Sequence, residues 1–139
     1  MPRTDYLVDT SVLSRLGKPA VAAAFPRVAV VGRVAMCAPV AFEIGYSARS
    51  ADDLAALTER LDAFRWVPVG HGDHRRALEL QGLLADRGQH RALSLVDALV
   101  AATAETRGLT VLHYDADFEL IAALTGQPHE WVVARGMAD

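Results

Sequence analysis

Short apolar runs alternate along this chain with segments in which apolar residues recur every three or four positions. Such runs are typical of buried strands, and the recurring pattern is typical of helices packed on one face. Strands are predicted at residues 6–8, 34–37, 66–69, 110–113 and 131–134, and helices at 50–64, 73–87, 94–107 and 117–125. Because strands that alternate with helices need crossover connections, the pattern predicts an α/β fold with a parallel sheet.

Composition narrows the class of protein without naming a function. The chain has 139 residues, which predicts a single domain over residues 1–139, and 52% of them are hydrophobic. A net charge of −3 excludes binding of nucleic acid by bulk attraction. The single cysteine, Cys37, excludes an intrachain disulfide and a cysteine-cluster zinc site. The polar start of the chain and its short apolar runs predict a soluble cytoplasmic protein with no membrane segment.

Acidic residues stand where a parallel sheet places its binding sites. Ligands of such sheets bind beyond the carboxyl ends of the strands. Asp9 follows the first predicted strand, and Asp115 and Asp117 follow the fourth. Glu43 and Asp97 each lie about one turn into a predicted helix, as lone charges among apolar residues. An unpaired buried carboxylate is costly, so each of these acids needs a compensating partner.

Each acid also has a structural explanation when it is taken singly. The acid after either strand could cap the helix that follows it. Asp97 lies three residues after Ser94, which is the spacing of a capping box. Glu43 could favour the positive end of its own helix. Asp53 has the same spacing from Ser50, but its helix is rich in charge, so capping alone explains it.

Taken together, several acids at one edge of the sheet indicate a metal site. Carboxylates held close together repel one another and raise one another's pKa, and a divalent cation offsets that repulsion. Oxygen ligands without cysteine favour Mg²⁺ or Mn²⁺ over Zn²⁺, and the usual partners of Mg²⁺ are substrate phosphates. The acids therefore predict metal-dependent phosphoryl transfer or phosphodiester cleavage.

Four segments in order resemble the motifs of the PIN-domain ribonucleases, specifically the VapC-type toxins of bacterial toxin–antitoxin pairs. The first is YLVDTSVL at 6–13, the second FEI at 42–44, the third SLVDAL at 94–99 and the fourth HYDADF at 113–118. The resemblance covers nearly the whole chain. It implies a three-layer α/β/α domain with a five-stranded, mainly parallel sheet, and an endoribonuclease that leaves a 3′-hydroxyl and a 5′-phosphate.

The resemblance also implies the members of the site. Mg²⁺, for which Mn²⁺ can substitute, is expected to bind chiefly through Asp9 and Asp97, with Glu43 and Asp115 completing the site directly or through water. Asp115 is favoured as the fourth acid because it is nearest the strand end, and Asp117 is left as an accessory ligand or a helix cap. Whether the site holds one ion or two stays open.

Neighbouring residues receive weaker assignments. A hydroxyl from Thr10 or Ser11 could join the metal ligands, and His113 is interpreted as a packed strand histidine rather than a base. The basic segment 87–91, with Arg75 and Arg76 in the preceding helix, is the candidate RNA contact, although a solvated loop explains it equally well.

The resemblance and the apolar segments of the chain together predict its binding partners. A cognate antitoxin is expected to cover the apolar segments 21–25 and 28–31 and to block the site, and contact with DNA is expected only through the antitoxin. A homodimer is predicted, with Leu78, Leu80, Leu83 and Leu84 as one candidate interface, although these leucines could equally belong to the core. The alternative to an enzyme is a PIN module that acts only by binding a partner; the complete set of acids argues against it.

Overall fold

Five parallel strands form one sheet in the computed structural model, which describes residues 4–139. The order in the sheet is β3-β2-β1-β4-β5, and every neighbouring pair is parallel. The strands are β1 (Thr4–Val8), β2 (Gly32–Met36), β3 (Arg65–Trp66), β4 (Thr110–His113) and β5 (His129–Trp131). The central position of β1 between β2 and β4 places Asp9 at the middle of the carboxyl edge. Residues 1–3, part of the polar start predicted to carry no export signal, lie outside the described residues.

Seven helices connect the strands within residues 4–139 and flank the sheet, which confirms the α/β/α prediction. They are α1 (Thr10–Leu13), α2 (Pro19–Val31), α3 (Ala38–Gly45), α4 (Ala51–Leu61), α5 (His71–Ala85), α6 (Leu95–Arg107) and α7 (Asp117–Thr125). None of the helices in this described part of the chain is both long and apolar enough to cross a membrane.

Helix α6 is the most deeply placed helix of the fold. Every residue from Asp97 to Ala104 is buried, whereas α4 buries only Leu61. Ser94 caps the helix by accepting a hydrogen bond from the backbone N–H of Asp97, and Gly108 ends it in the left-handed conformation at φ 64°. Because the buried part of the helix begins at Asp97, the carboxylate of this residue is withdrawn from solvent.

The third and fifth strands are shorter than predicted, and the ends of their partners explain why. The sequence predicts a strand at 66–69, but β3 ends at Trp66; the Val67 N–H donates its bond to the carbonyl of Met36, the last residue of β2. The strand expected at 131–134 is found instead at His129–Trp131, and the Val132 N–H bonds to the last residue of β4, His113. Each edge strand therefore ends where the neighbouring strand ends, because that strand has no further carbonyl to accept a hydrogen bond from it.

The leucines of α5 divide between the core and the surface. Leu80 and Leu84 are buried in the core, whereas Leu78 and Leu83 are exposed. Leu80 and Leu84 are therefore core residues, the alternative that the sequence left open, and only Leu78 and Leu83 remain available for a dimer interface.

Candidate active site

The two carboxylate oxygens of Asp9, at the carboxyl end of β1, have different surroundings. The residue is only 2% exposed, and its Oδ2 accepts a hydrogen bond of 3.0 Å from the Ser11 backbone N–H, so it caps α1 as the capping explanation predicts. Its second oxygen, Oδ1, is buried without a hydrogen-bond partner among residues 4–139, and so is Oγ1 of the adjacent Thr10. An unsatisfied buried carboxylate oxygen is costly, so this atom fits a role as a ligand of a bound cation.

Asp97 does not complete the capping box that its spacing suggests. The Ser94 hydroxyl oxygen accepts the Asp97 N–H at 3.1 Å, but in the described chain the Ser94 N–H makes no reciprocal bond to the Asp97 carboxylate. A carboxylate does reach back to the start of its helix at Asp73, whose Oδ2 accepts the Gly70 N–H at 2.8 Å. The Asp97 carboxylate instead interacts with the Ser94 side chain, which opposes the rise that burial causes in its pKa, and one of its oxygens faces the other acids of the site.

Three carboxylates meet at this edge of the sheet. One oxygen from each of Asp97, Asp115 and Asp117 lies within 4.8 Å of the other two. Asp115 Oδ1 accepts a hydrogen bond of 2.9 Å from the Asp117 backbone N–H, which fixes the turn between β4 and α7. Asp117 thus belongs to the cluster as fully as Asp115, and Asp115 is the acid whose side chain bonds the start of the helix.

Burial and mutual repulsion disfavour the ionised form of the aspartates in and around the cluster. Burial, followed by repulsion from Asp9, Asp115 and Asp117, raises the pKa of Asp97 to about 7. Burial also raises the pKa of Asp9; hydrogen bonds from Ser11 oppose the rise, and repulsion from Asp115 and Glu43 adds to it. The pKa of Asp117 is raised by burial and by repulsion from Asp115. Among the described residues, no salt bridge involves any of these aspartates.

Asp73 illustrates how the same fold treats an acid that is only structural. Arg107 Nη1 lies 3.2 Å from Asp73 Oδ2, and Thr106 donates a hydrogen bond of 2.8 Å to Oδ1. Burial alone would raise the pKa of Asp73, but its hydrogen bonds from Gly70, Thr106 and Arg107 together lower it. Within residues 4–139, the acids at the sheet edge have no such cation, and their all-oxygen donor set fits a divalent metal ion.

Glu43 is exposed, whereas its position in an apolar stretch predicted a buried carboxylate that needs a compensating partner. It is exposed on α3, beside Phe42 and Tyr46, which are 80% and 87% exposed. Repulsion from Glu43 contributes to the raised pKa of Asp9, but neither residue belongs to the close triad of oxygens. The structure therefore brings three of the predicted acids into close proximity and places the other two around them.

His113 is a structural residue, in agreement with its interpretation as a packed strand histidine. It is fully buried; its Nδ1 accepts the Asp115 backbone N–H at 3.0 Å, and its Nε2 lies 2.8 Å from Nδ1 of His129. With Nδ1 accepting, the neutral ring donates from Nε2. Burial, with the neighbouring His129, lowers the pKa of His113 to about 3, so the ring stays uncharged and positions Asp115.

The two candidate hydroxyls are not equivalent. Ser11 Oγ accepts a hydrogen bond of 2.8 Å from the Tyr114 backbone N–H and so joins α1 to the turn after β4. Thr10 Oγ1 is the hydroxyl left without a partner in the described structure, and it adjoins Asp9. Between the two, Thr10 is the better candidate for the metal site.

The candidate RNA contacts also differ from one another. Arg76 forms ion pairs with Glu79 and Glu105 at 3.0 and 3.2 Å, so its charge is already compensated. Arg87 and Arg91 are exposed in the loop before α6. Sequence reasoning missed a different basic group, Arg15 and Arg135, which line a cavity beside Asp115.

Comparison with known proteins agrees with this geometry. Residues 6–124 match the model of the PIN domain. The chain is 48% identical over 134 residues to Ribonuclease VapC51 of Mycobacterium tuberculosis, an alignment that covers 96% of this chain and 97% of that protein. The chain belongs to the VapC ribonucleases of the PIN domain family.

Solved structures of this family have the same fold. VapBC-5 of Mycobacterium tuberculosis, a member of the VapBC family of toxin–antitoxin systems, matches with a TM-score of 0.62 and 26% identity over 94% of this chain and 99% of that one. VapBC2 of Rickettsia felis, bound to a DNA fragment from its promoter, matches with a TM-score of 0.75 and 15% identity over 92% of this chain and 98% of that one. The second match bears on the fold alone. In this VapC chain, the PIN match ends within α7, so β5 and the residues after it lie beyond the matched segment.

Proposed function

We propose that this VapC-family chain is an endoribonuclease toxin that hydrolyses RNA phosphodiester bonds with a divalent cation, Mg²⁺ or Mn²⁺, held by its acidic cluster. The observation that carries the proposal is the triad of Asp97, Asp115 and Asp117, whose oxygens lie within 4.8 Å of one another without a salt-bridge partner in residues 4–139. The orphaned Oδ1 of Asp9 supplies a further ligand atom.

Each acid has a distinct role in this proposal. Asp9 and Asp97 are the principal ligands, because they are the two most buried members and each has a raised pKa that a cation would reverse. Asp115 and Asp117 complete the cluster from the turn after β4. Glu43, which is exposed, acts from the rim through water and orients groups around Asp9.

The chain's own residues hold and orient the reacting groups. When a divalent cation is bound, it neutralises charge at phosphorus and makes water a nucleophile near neutral pH. Hydrogen bonds from Ser11 to Asp9 and from Asp117 to Asp115 keep these carboxylates in place before substrate arrives. The neutral His113 holds the Asp115 backbone and leaves proton transfer to water and the carboxylates.

Partners form a second part of the proposal. A cognate antitoxin would cover exposed apolar residues of α2 and α3, among them Val30, Val31, Phe42 and Tyr46, and would carry any contact with DNA. Segment 21–31 supports this surface only in part, because Val21 is in the core. A homodimer would use exposed apolar residues such as Leu78. The chain would act as one domain over residues 1–139, in the cytoplasm.

A cleavage assay with matched variants tests the enzyme proposal. Total RNA incubated with purified chain should be cut at defined sites in Mg²⁺ or Mn²⁺ and left intact in excess EDTA. Asp97→Asn should lose activity, whereas the structural variant Asp73→Asn should retain it in proportion to its folded fraction. Cleavage that persists in EDTA would contradict the proposed chemistry, and a chain that never cleaves but still binds an antitoxin would favour the binding-only alternative.

A further inference from the structure

A cavity of about 370 Å³ opens at the carboxyl edge of the sheet, next to the acidic cluster. Asp115 belongs to both, so anything that fills the cavity lies beside the metal ligands. The other walls come from α1 and the turn after it, from the turn after β4, and from the end of β5 and the chain beyond it. The lining residues used below are Arg15, Tyr114, Trp131, Arg135 and Asp139.

Two arginines give the cavity a positive side. Arg15 is held in place, because its Nη1 donates to the Ser11 carbonyl at 3.0 Å and its Nε donates to the Ala138 carbonyl at 3.1 Å. Its guanidinium carbon lies 5.0 Å from the centre of the Tyr114 ring. Within residues 4–139, neither Arg15 nor Arg135 forms a salt bridge. The cavity thus presents two guanidinium groups that are not held in ion pairs, and guanidinium groups bind phosphate well.

Trp131 gives the cavity a fixed aromatic wall. Its indole Nε1 donates a hydrogen bond of 2.9 Å to Glu119 Oε1, and its ring packs edge-on against Tyr114 at a centroid distance of 5.3 Å. The Arg135 guanidinium lies 6.0 Å from the indole centre. A rigid aromatic ring beside unpaired cations is the arrangement with which proteins hold single-stranded nucleic acid.

We propose that this cavity binds the nucleotide adjoining the scissile phosphodiester of single-stranded RNA, with Arg15 and Arg135 on its phosphate and Trp131 stacked on its base. The inference rests on the proposed ribonuclease function and adds a substrate subsite to it. Asp139 also faces the cavity, where its Oδ1 accepts a hydrogen bond of 2.8 Å from the Tyr114 hydroxyl. Its negative charge opposes a bound phosphate.

The phosphate contact is tested by the binding of a fluorescein-labelled RNA of random sequence. Its length is roughly 12 nucleotides, which is within the usual range of single-strand binding sites. Excess EDTA prevents cleavage, and affinity is measured by anisotropy over a series of salt concentrations. Arg135→Gln is the test variant, because its described contact is one ring, so its melting temperature should match the wild type. Arg60→Gln, an exposed arginine of α4, is the charge-matched control.

The expected results follow from counterion release. Arg135→Gln should weaken binding several-fold and reduce the slope of log affinity against log salt by about 0.7, the value for one phosphate contact on a single strand. Arg60→Gln should change neither quantity, and Asp139→Asn should tighten binding. In a Trp66→Phe protein, which leaves Trp131 as the single tryptophan, the RNA should quench the fluorescence.

Other outcomes overturn the subsite. These are equal effects of Arg135→Gln and Arg60→Gln, no quenching of Trp131, or no wild-type binding even at low salt. Loss of antitoxin binding by Arg135→Gln with unchanged RNA binding would assign the cavity to a peptide instead. Cleavage distinguishes the two proposals: an active enzyme with an unaffected Arg135→Gln variant loses only the subsite, whereas tight, Arg135-dependent RNA binding without cleavage in any divalent cation refutes only the nuclease.

Discussion

Replacing Asp97 with asparagine should stabilise the metal-free protein at alkaline pH, although it changes a buried residue. The pKa of Asp97 rises from 3.8 to about 7 through burial and through repulsion from Asp9, Asp115 and Asp117. A rise of this size corresponds to roughly 4 kcal/mol of destabilisation by the ionised carboxylate, at 1.36 kcal/mol for each pKa unit. Asparagine removes the charge, but its incompletely bonded amide costs about 1–3 kcal/mol. The net expected gain is on the order of 2 kcal/mol at pH 8.

The dependence on pH separates this effect from ordinary packing. Since the pKa of Asp97 is higher in the folded state than in the unfolded state, the folded state binds more protons between these values. Its contribution to stability is therefore fully present below about pH 4 and is lost as the pH rises through about 7. The asparagine side chain cannot titrate, so the stability of Asp97→Asn relative to wild type should improve by roughly 3 kcal/mol from pH 5 to pH 8.

The assay is thermal unfolding of wild type, Asp97→Asn and Asp73→Asn at both pH values, with and without Mn²⁺. Asp73→Asn should lose roughly 2 kcal/mol in all conditions, because it breaks a charge-assisted contact with Arg107. Mn²⁺ should raise the melting temperature of the wild type and of Asp73→Asn, and that of Asp97→Asn much less. If Asp97→Asn melts below the wild type at both pH values and keeps the full response to Mn²⁺, Asp97 is a structural residue and the electrostatic reasoning is wrong.

Three further predictions concern the surroundings of the cluster and the assembly of the chain. Thr10→Val removes a buried, unpartnered hydroxyl, so melting curves should show unchanged or slightly higher stability without metal, while titration should show weaker Mn²⁺ binding. Glu43→Gln changes an exposed residue, so stability should move by less than about 0.5 kcal/mol, whereas RNA cleavage should fall by roughly 10- to 100-fold. Light scattering should find a homodimer that Leu78→Glu dissociates, and a monomeric wild type at micromolar concentration would contradict it.

Much of the fold and the centre of the site could be predicted because they depend on local pattern. The run before Asp9 is apolar because β1 is the central strand, and such a run ends abruptly where the edge of the sheet begins. Asp97 is conspicuous among apolar neighbours because α6 is buried from Asp97 to Ala104. The rule that parallel strands share their carboxyl edge then brings Asp9 and Asp115 to the same side of the molecule.

The rest depended on contacts between elements that periodicity does not encode. The sequence of α3 gives no sign that Glu43 points to solvent while Val40 and Ile44 face the core. The sequence favours Asp115 over Asp117, but the path of α7 past α6 brings one oxygen of each into the cluster. Arg15 lies in the turn after α1, Trp131 ends β5, and Arg135 lies beyond it. The sequence predicts Trp131 at the start of its strand, whereas it lies at the carboxyl end, beside the cluster.

Hydrogen bonds to single carboxylate oxygens help the fold to hold several negative charges close together before a cation binds. Asp9 Oδ2 accepts a hydrogen bond from the first turn of α1, and Asp115 Oδ1 accepts one from the Asp117 N–H at the start of α7. Asp97 and Asp117 lie in the first turns of α6 and α7, where free N–H groups and the helix dipole favour a negative charge. These local interactions offset part of the cost but leave the pKa values of Asp9, Asp97 and Asp117 raised. The helices thus fix the carboxylates in position, and the repulsion they leave uncompensated is the energy that a divalent cation would recover on binding.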